Sequence, residues 1–365
     1  MNPYRSLPSH AFWRKSVAEV HPSEVTPVVE APFTILESDK IATAGSCFAQ
    51  HIANHLSRSG YNYLVTENAN PRFEFESRNF NYGVFTARYG NIYTSRQLVQ
   101  LFDRAYGNFE PEDVTWKNAK DQWVDPFRPQ IQPNGFESED ELLADRQQHF
   151  ARVREAFESL DYFVFTLGLT ECWRSKSDGA VFPVCPGVSG GEFSPEKYEF
   201  HNLSCSEVVA DMTTFIGKLR YINPHAKVIL TVSPVPLIAS ASSQHVLPAT
   251  VLSKSILRVA ADQLQSELND VFYFPSYEII TGSFNRGQYF GSDLRSVTPE
   301  GVAHVMSVFM RTCTDSKAEV TQQLKLAATK EALPTGTSVE RIEHALQVVC
   351  DEEALDAGFN VALED

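Results

Sequence analysis

Gly45-Ser46-Cys47 stands between a short apolar run, Lys40-Ile-Ala-Thr-Ala-Gly45, and a segment with Phe48, Ile52 and Leu56 four residues apart. A run closed by glycine reads as a buried strand and the four-residue spacing as a helix, so Ser46 falls at a strand-to-helix turn. A serine there is a favoured N-cap and the glycine a favoured turn residue. The same place also offers free backbone N–H groups that can hold an oxyanion, which makes Ser46 a candidate nucleophile for acyl transfer. The pattern is neither the G-x-S-x-G elbow nor the phosphate loop G-x-x-x-x-G-K.

Glu171 is the second residue with chemical potential. It follows Asp161-Tyr-Phe-Val-Phe-Thr-Leu167, the clearest buried strand, and precedes Trp173 and Arg174. A carboxylate there meets solvent or pairs, because an isolated buried charge is costly. Either it pairs with Arg174 or Arg295 and holds the loop, or it faces the Ser46 pocket and orients a histidine. His51 and His55 lie one turn apart on the helix after Ser46, but no HExxH pattern accompanies them and polar-face residues are the simpler reading. His201 and His245 fall in segments over the expected site face, where a lid could carry a base. No metal site and no cofactor are expected.

These residues need a scaffold, and the chain spells one. Strand-like runs at 40–45, 61–65, 161–167, 227–232 and 271–274 alternate with helical patterns at 46–59, 95–106, 138–160, 206–221, 250–268 and 299–313. Near-continuous apolar strands separated by helices predict a doubly wound parallel α/β sheet of about five strands in three layers. Chemistry in such sheets sits at the carboxyl ends of the strands. Residues 1–39, with prolines at 3, 8, 22, 27 and 32, read as an arm packed on the body; 40–313 form the domain, with insertions at 107–135 and 174–204; 314–365 read as a helical C-terminal extension.

The 365 residues are 43% hydrophobic and 21% charged, which excludes a disordered chain. No window approaches the ~18 apolar residues of a membrane helix, and the start lacks a signal core, so a cytoplasmic protein with no membrane span is expected. A net charge of −15 repels phosphate backbones and argues against nucleic acid as a partner. Six cysteines without a CxxC pair read as reduced thiols. Oligomeric state is not encoded in these patterns.

Gly45-Ser46-Cys47-Phe48-Ala49 spells the name-giving motif of the GSCFA family, of the SGNH (GDSL-type) hydrolase superfamily. Asn81-Tyr-Gly83, Thr166-Leu-Gly168-Leu-Thr170-Glu171, Thr231-Val-Ser-Pro-Val235, Ser253-Lys254 and Tyr273-Phe-Pro-Ser-Tyr-Glu278 resemble its further blocks, in order, over roughly 40–310. The resemblance implies a flavodoxin-like three-layer sandwich with Ser46 as nucleophile. It also implies an oxyanion site from the Ser46 N–H, Gly83 and the Gly168–Thr170 block, with Thr170 where the superfamily has asparagine. The base departs from the superfamily: Asp293 is present, but Ser296 replaces the histidine of Asp-x-x-His, leaving His304 as the nearest histidine. Two functions follow. One is a serine esterase or acyltransferase acting on an acylated small molecule or carbohydrate; the other is a catalytically weakened binding protein in bacterial surface polysaccharide biosynthesis.

Overall fold

The computed structural model describes residues 2–69 and 77–315. These residues divide into two compact units, one of residues 38–273 and one of residues up to 37 together with those from 274 onward. The second division falls between Tyr273 and Phe274, inside the span read above as one domain.

The larger unit runs through β1 (Ile41–Gly45), α1 (Phe48–Arg58), α2 (Ser95–Ala105), a hairpin of β2 (Trp116–Lys117) and β3 (Trp123–Val124), then α3 (Glu139–Ser159) and β4 (Tyr162–Leu167). After these come β5 (Glu171–Ser175), β6 (Val181–Phe182), β7 (Tyr198–Asn202), α4 (Cys205–Ile222), β8 (Lys227–Val232), α5 (Val246–Glu267) and β9 (Val271–Tyr273). Strands β1, β4, β8 and β9 form a parallel sheet in that order, flanked by helices. Every residue of these strands except Lys227 is buried, which is why they read as unbroken apolar runs. Phe163 on β4 meets Phe157 of α3 and Phe215 of α4 at 5.9 and 5.3 Å, and Phe102 of α2 meets Phe157 at 5.7 Å. Two helices thus meet one strand face, and α2 packs on them.

The parallel sheet has four strands, not five. The run at 61–65 makes only an isolated bridge, Tyr63 to Ile41, where a flavodoxin-like order would place its second strand. The reason lies in how the edge of β1 is satisfied. Ile41 N donates to Asn62 O (3.0 Å) and Leu64 N to Ile41 O (2.9 Å), but Thr66 N then turns to Thr86 O (2.8 Å). Farther along β1, Thr43 N donates to Thr86 Oγ1 (3.0 Å), the Tyr89 hydroxyl to Thr43 O, and Ile92 N to Gly45 O (2.8 Å). Loop groups close the edge one bond at a time, so no strand is needed to protect it. Part of residues 174–204, read above as an insertion, belongs with Glu171 to a sheet: β6, β5 and β7 form a three-stranded antiparallel sheet in that order, opened by Glu171.

A buried charge network ties the loops after α1 to α3. Arg88 pairs with Glu67 (3.5 Å) and Asp145 (2.8 Å), Arg128 with Asp125 (3.0 Å) and Asp145 (2.8 Å), and Arg146 with Asp125 (3.2 Å). His149 Nδ1 lies 2.8 Å from Glu67 Oε2. Burial, then the Arg128 charge, pushes the His149 imidazole down to about 4 against the pull of Glu67. Burial alone would raise the Glu67 carboxyl, yet His149, Arg128 and the Arg88 N–H hold it down at about 2. The pair is therefore a neutral imidazole donating Nδ1–H to a carboxylate.

In the smaller unit, α6 (Ser276–Thr281) and α7 (Pro299–Cys313) are joined by residues of the N-terminal arm. Ile35 bridges Thr314, and Arg311 donates to Thr26 Oγ1 at 2.6 Å. The expected extension from 314, with His344 and Cys350, lies outside the described residues apart from Thr314 and Asp315. No described helix is long and apolar enough to cross a membrane.

The network makes stability depend on pH with a definite sign. The unfolded chain binds the His149 proton more tightly than the folded one, so stability should fall as pH drops from 6.5 toward about 4. Glu67, depressed in the fold, adds a loss of the same sign below its ordinary 4.5. Urea unfolding across pH 4–7 should show a slope of up to about 1.4 kcal/mol per pH unit from His149, reduced in His149→Gln; a flat profile would contradict the neutral-imidazole assignment.

Candidate active site

Ser46 sits where the end of β1 turns into α1, and the turn exists because residue 45 is glycine. Gly45 has φ +137°, and a methyl there would lie 2.4 Å from Thr166 O on β4. The close approach lets Ser46 N donate to Thr166 O (3.2 Å) while Ser46 O receives Ala49 N (2.8 Å) in the first turn of α1. Ser46 is 3% exposed, and its Oγ has no hydrogen-bond partner among the described residues; neither has Thr166 Oγ1. Buried hydroxyls are rarely left unbonded without a reason.

Gly168 forms the facing wall. A methyl on it would meet Ser46 Cβ at 3.0 Å and Tyr93 O at 2.9 Å. Gly168 N and Leu169 N both donate to Tyr93 O, at 3.0 and 3.1 Å. The resulting pocket has about 10 Å³ of free space, with Ser46, Tyr93, Gly168, Leu169, Ser233 and Lys254 among its walls. That is room for about one water.

The resemblance passed over Lys254 as a site residue. It is 2% exposed, and its Nζ donates to Gly168 O at 2.5 Å. The preceding residue, Ser253, accepts from Thr170 N at 3.0 Å. Two consecutive residues of α5 thus hold the strand end opposite Ser46. One signal in the sequence does point to the lysine: it shares a stripe with Leu257, Ala261 and Leu264, at helical spacing on a buried face. A charge in such a stripe needs a purpose.

The other candidates separate. Thr170 is buried; its hydroxyl donates to Asn202 Oδ1 (2.6 Å) and lies 3.1 Å from Ser253 Oγ. Gly83 is an exposed turn glycine with φ +71° and is not among the walls of the Ser46 pocket; residues 92 and 93 are what reach Gly45 and Gly168. Glu171 accepts from Ser240 Oγ at 2.7 Å, and Arg174 pairs instead with Glu199 at 2.6 Å. Burial pushes the Glu171 carboxyl up against bonds from Ser240 and the Ala241 N–H.

No described histidine is among the walls of the Ser46 pocket. His201 Nε2 bonds Glu207 (2.8 Å), and His245 Nδ1 accepts from Leu247 N at the start of α5. Burial pushes His51 down to about 4. Asp293 and His304 belong to the smaller unit, and they do not bond each other. Asp293 accepts from Arg295 N, Ser296 N and Ser296 Oγ, so it closes its own loop. His304 is buried, with Nε2 donating to Val25 O and Nδ1 facing the Tyr289 hydroxyl, both at 2.9 Å. Among the described residues no group of three or more histidine, cysteine, aspartate or glutamate side chains could hold a metal.

Three glycines test this geometry. Gly45→Ala should lose about 3 kcal/mol in urea unfolding, because backbone faces its methyl and φ is positive. Gly168→Ala should lose about 1–3 kcal/mol by pressing on Ser46 and Tyr93. Gly217→Ala on α4, with open space and an ordinary helical backbone, should gain up to about 1 kcal/mol. Equal effects at all three would refute the close approach.

A search of curated proteins returned no match. A model of the GSCFA family matches residues 40–309, from the start of β1 into α7. That span carries the Gly45-Ser46 turn, the Gly168 wall and the Ser253-Lys254 pair that closes over it, and the chain belongs to the GSCFA family.

Proposed function

We propose that this chain is a serine-dependent esterase or acyltransferase of the SGNH type, acting on an acylated small molecule or carbohydrate, with Lys254 taking the proton of Ser46. The observation that carries the reading is the Ser46 hydroxyl, buried and unbonded at the carboxyl end of a parallel strand, in a pocket walled by a buried lysine. Serine–lysine pairs are a recurring variant of the serine–histidine arrangement. Ser46 Oγ adds to the acyl carbonyl carbon and its proton passes to Lys254 Nζ. The carbonyl electrons move onto oxygen beside the ammonium so formed. Collapse then breaks the bond to the leaving group, which departs with that proton, and water or an acceptor alcohol repeats the sequence in reverse.

Lys254 takes the role that the resemblance would give His304, whose two ring nitrogens are engaged in the smaller unit. The transfer needs a neutral amine at Lys254. Admission of an acyl group needs the pocket to widen. The link from 233 to 245 between β8 and α5, which has no regular structure, is the wall suited to move. The second reading, a weakened binding protein, is favoured by the lack of a histidine among the described pocket walls.

Labelling with a fluorophosphonate and hydrolysis of p-nitrophenyl acetate separate the two. Wild type should label at Ser46 and Ser46→Ala should not. Lys254→Met should lower both rates by roughly 10²–10⁴-fold with the fold intact, and wild-type rates should rise with pH because only the neutral amine accepts the proton. Wild-type labelling no higher than Ser46→Ala would leave the binding reading. Full reactivity in Lys254→Met would remove the lysine from the mechanism.

A further inference from the structure

We infer that a second site, an anion-binding pocket built on Arg104, takes a small molecule that joins a phosphate or carboxylate head to a flat apolar body. The site does not depend on the esterase reading. Arg104 is the second-last residue of α2 and is 8% exposed. Its guanidinium centre stands 3.6 Å from the Phe127 ring centroid and 5.1 Å from that of Phe150. Among the described residues it has no ion pair, and none of its five N–H donors has a protein acceptor.

Charge counting explains why. Glu67, Asp125 and Asp145 are three buried or half-buried carboxylates, and Arg88, Arg128 and Arg146 are the three guanidiniums bonded to them. With His149 neutral, Arg104 is a fourth cation without a counter-ion of its own. Asp125, the carboxylate that acts on it, is already bonded to Arg128 and Arg146. Burial, with Arg146 and Arg128 beside it, pushes the Arg104 guanidinium down to about 9, so it is still charged at neutral pH.

Arg104 lines two cavities. One has about 20 Å³ of free space and also holds His149, whose Nε2 is buried without a partner. A single water there can meet that nitrogen and only part of the guanidinium. The other is a pocket of about 620 Å³, the size of a small-molecule site, formed by the end of α2, the segment after it and one side of α3. Arg104, Arg146 and Arg154 contribute its cations and Tyr106, Phe109 and Phe150 its aromatic surface. Glu110, its one acidic residue, is exposed. Arg154 carries no ion pair in the described residues; it donates to Ala105 O at the end of α2. An oxyanion between Arg104 and Arg154 supplies the missing counter-charge, and the rings suit a flat body.

The two sites are far apart. Thr94 caps α2 next to Tyr93 of the Ser46 pocket, and Arg104 lies ten residues on, about 15 Å along the helix.

Calorimetric titration of the full chain at low salt with phenyl phosphate and with benzoate, and with benzyl alcohol as the uncharged control, tests the site. Saturable one-to-one binding is expected for at least one of the two anions, weakened by added salt and absent for the alcohol. Which anion binds identifies the head group. Arg104→Gln should weaken it about tenfold or more, and Arg154→Gln, on the half-exposed rim, several-fold. Ser46→Ala should bind as wild type does. No saturable binding of either anion, binding lost in Ser46→Ala, or wild-type affinity in both arginine variants would overturn the inference.

Discussion

The approach of Gly45 to Thr166 governs the rest of the larger unit. Parallel strands in register normally leave room for side chains at their ends, yet here the backbone of β4 occupies the place of a Cβ on residue 45. Because that place is filled, the chain leaves β1 with a positive φ, and Ser46 is delivered to the first turn of α1 with its N–H turned onto Thr166 O. Gly168 repeats the device on the other strand, against Ser46 and Tyr93. Two missing side chains thus create a site with room for about one water beside the Ser46 hydroxyl. A buried hydroxyl without a partner is an unfavourable state that the surrounding packing must sustain.

Two places among the described residues gather polar groups without partners. Ser46 and Thr166 share the carboxyl ends of β1 and β4, while Arg104 and His149 share a small cavity between α2 and α3. The other charges around that cavity are matched closely, three carboxylates to three guanidiniums, with backbone carbonyls of Phe80 and Ile131 taking further Arg88 donors. Such a network is weak evidence for net stability, since well-packed apolar residues often do as well. Its geometric effect is clearer: it pins residues 80–88 and 125–131, which lie outside the strands and long helices, to α3.

What the sequence alone determined is the part written in local periodicity. Strands β1, β4, β8 and β9 and helices α2 to α5 and α7 were legible because a strand buried on both faces must be apolar throughout, and a helix on a sheet must be apolar at every third or fourth residue. Ser46 was legible as a residue type at a strand end; Lys254 was passed over, although it stands as a charge inside an apolar stripe. Tertiary structure decided the rest. The run at 61–65 has a strand's composition but no ladder, because Thr86, Tyr89 and Ile92 arrive from the loops to take the donors and acceptors that a strand would have used. The insertion at 174–204 has no strand period legible in sequence, yet with Glu171 it forms a sheet, because its strands are partners of one another across turns of irregular length. Asp293 and His304 look like half a relay, yet each is bound by its own neighbours. Periodicity records which side of an element is dry, since that depends on the element alone. Which polar group meets which depends on chain segments tens of residues apart, and only the folded chain brings those together.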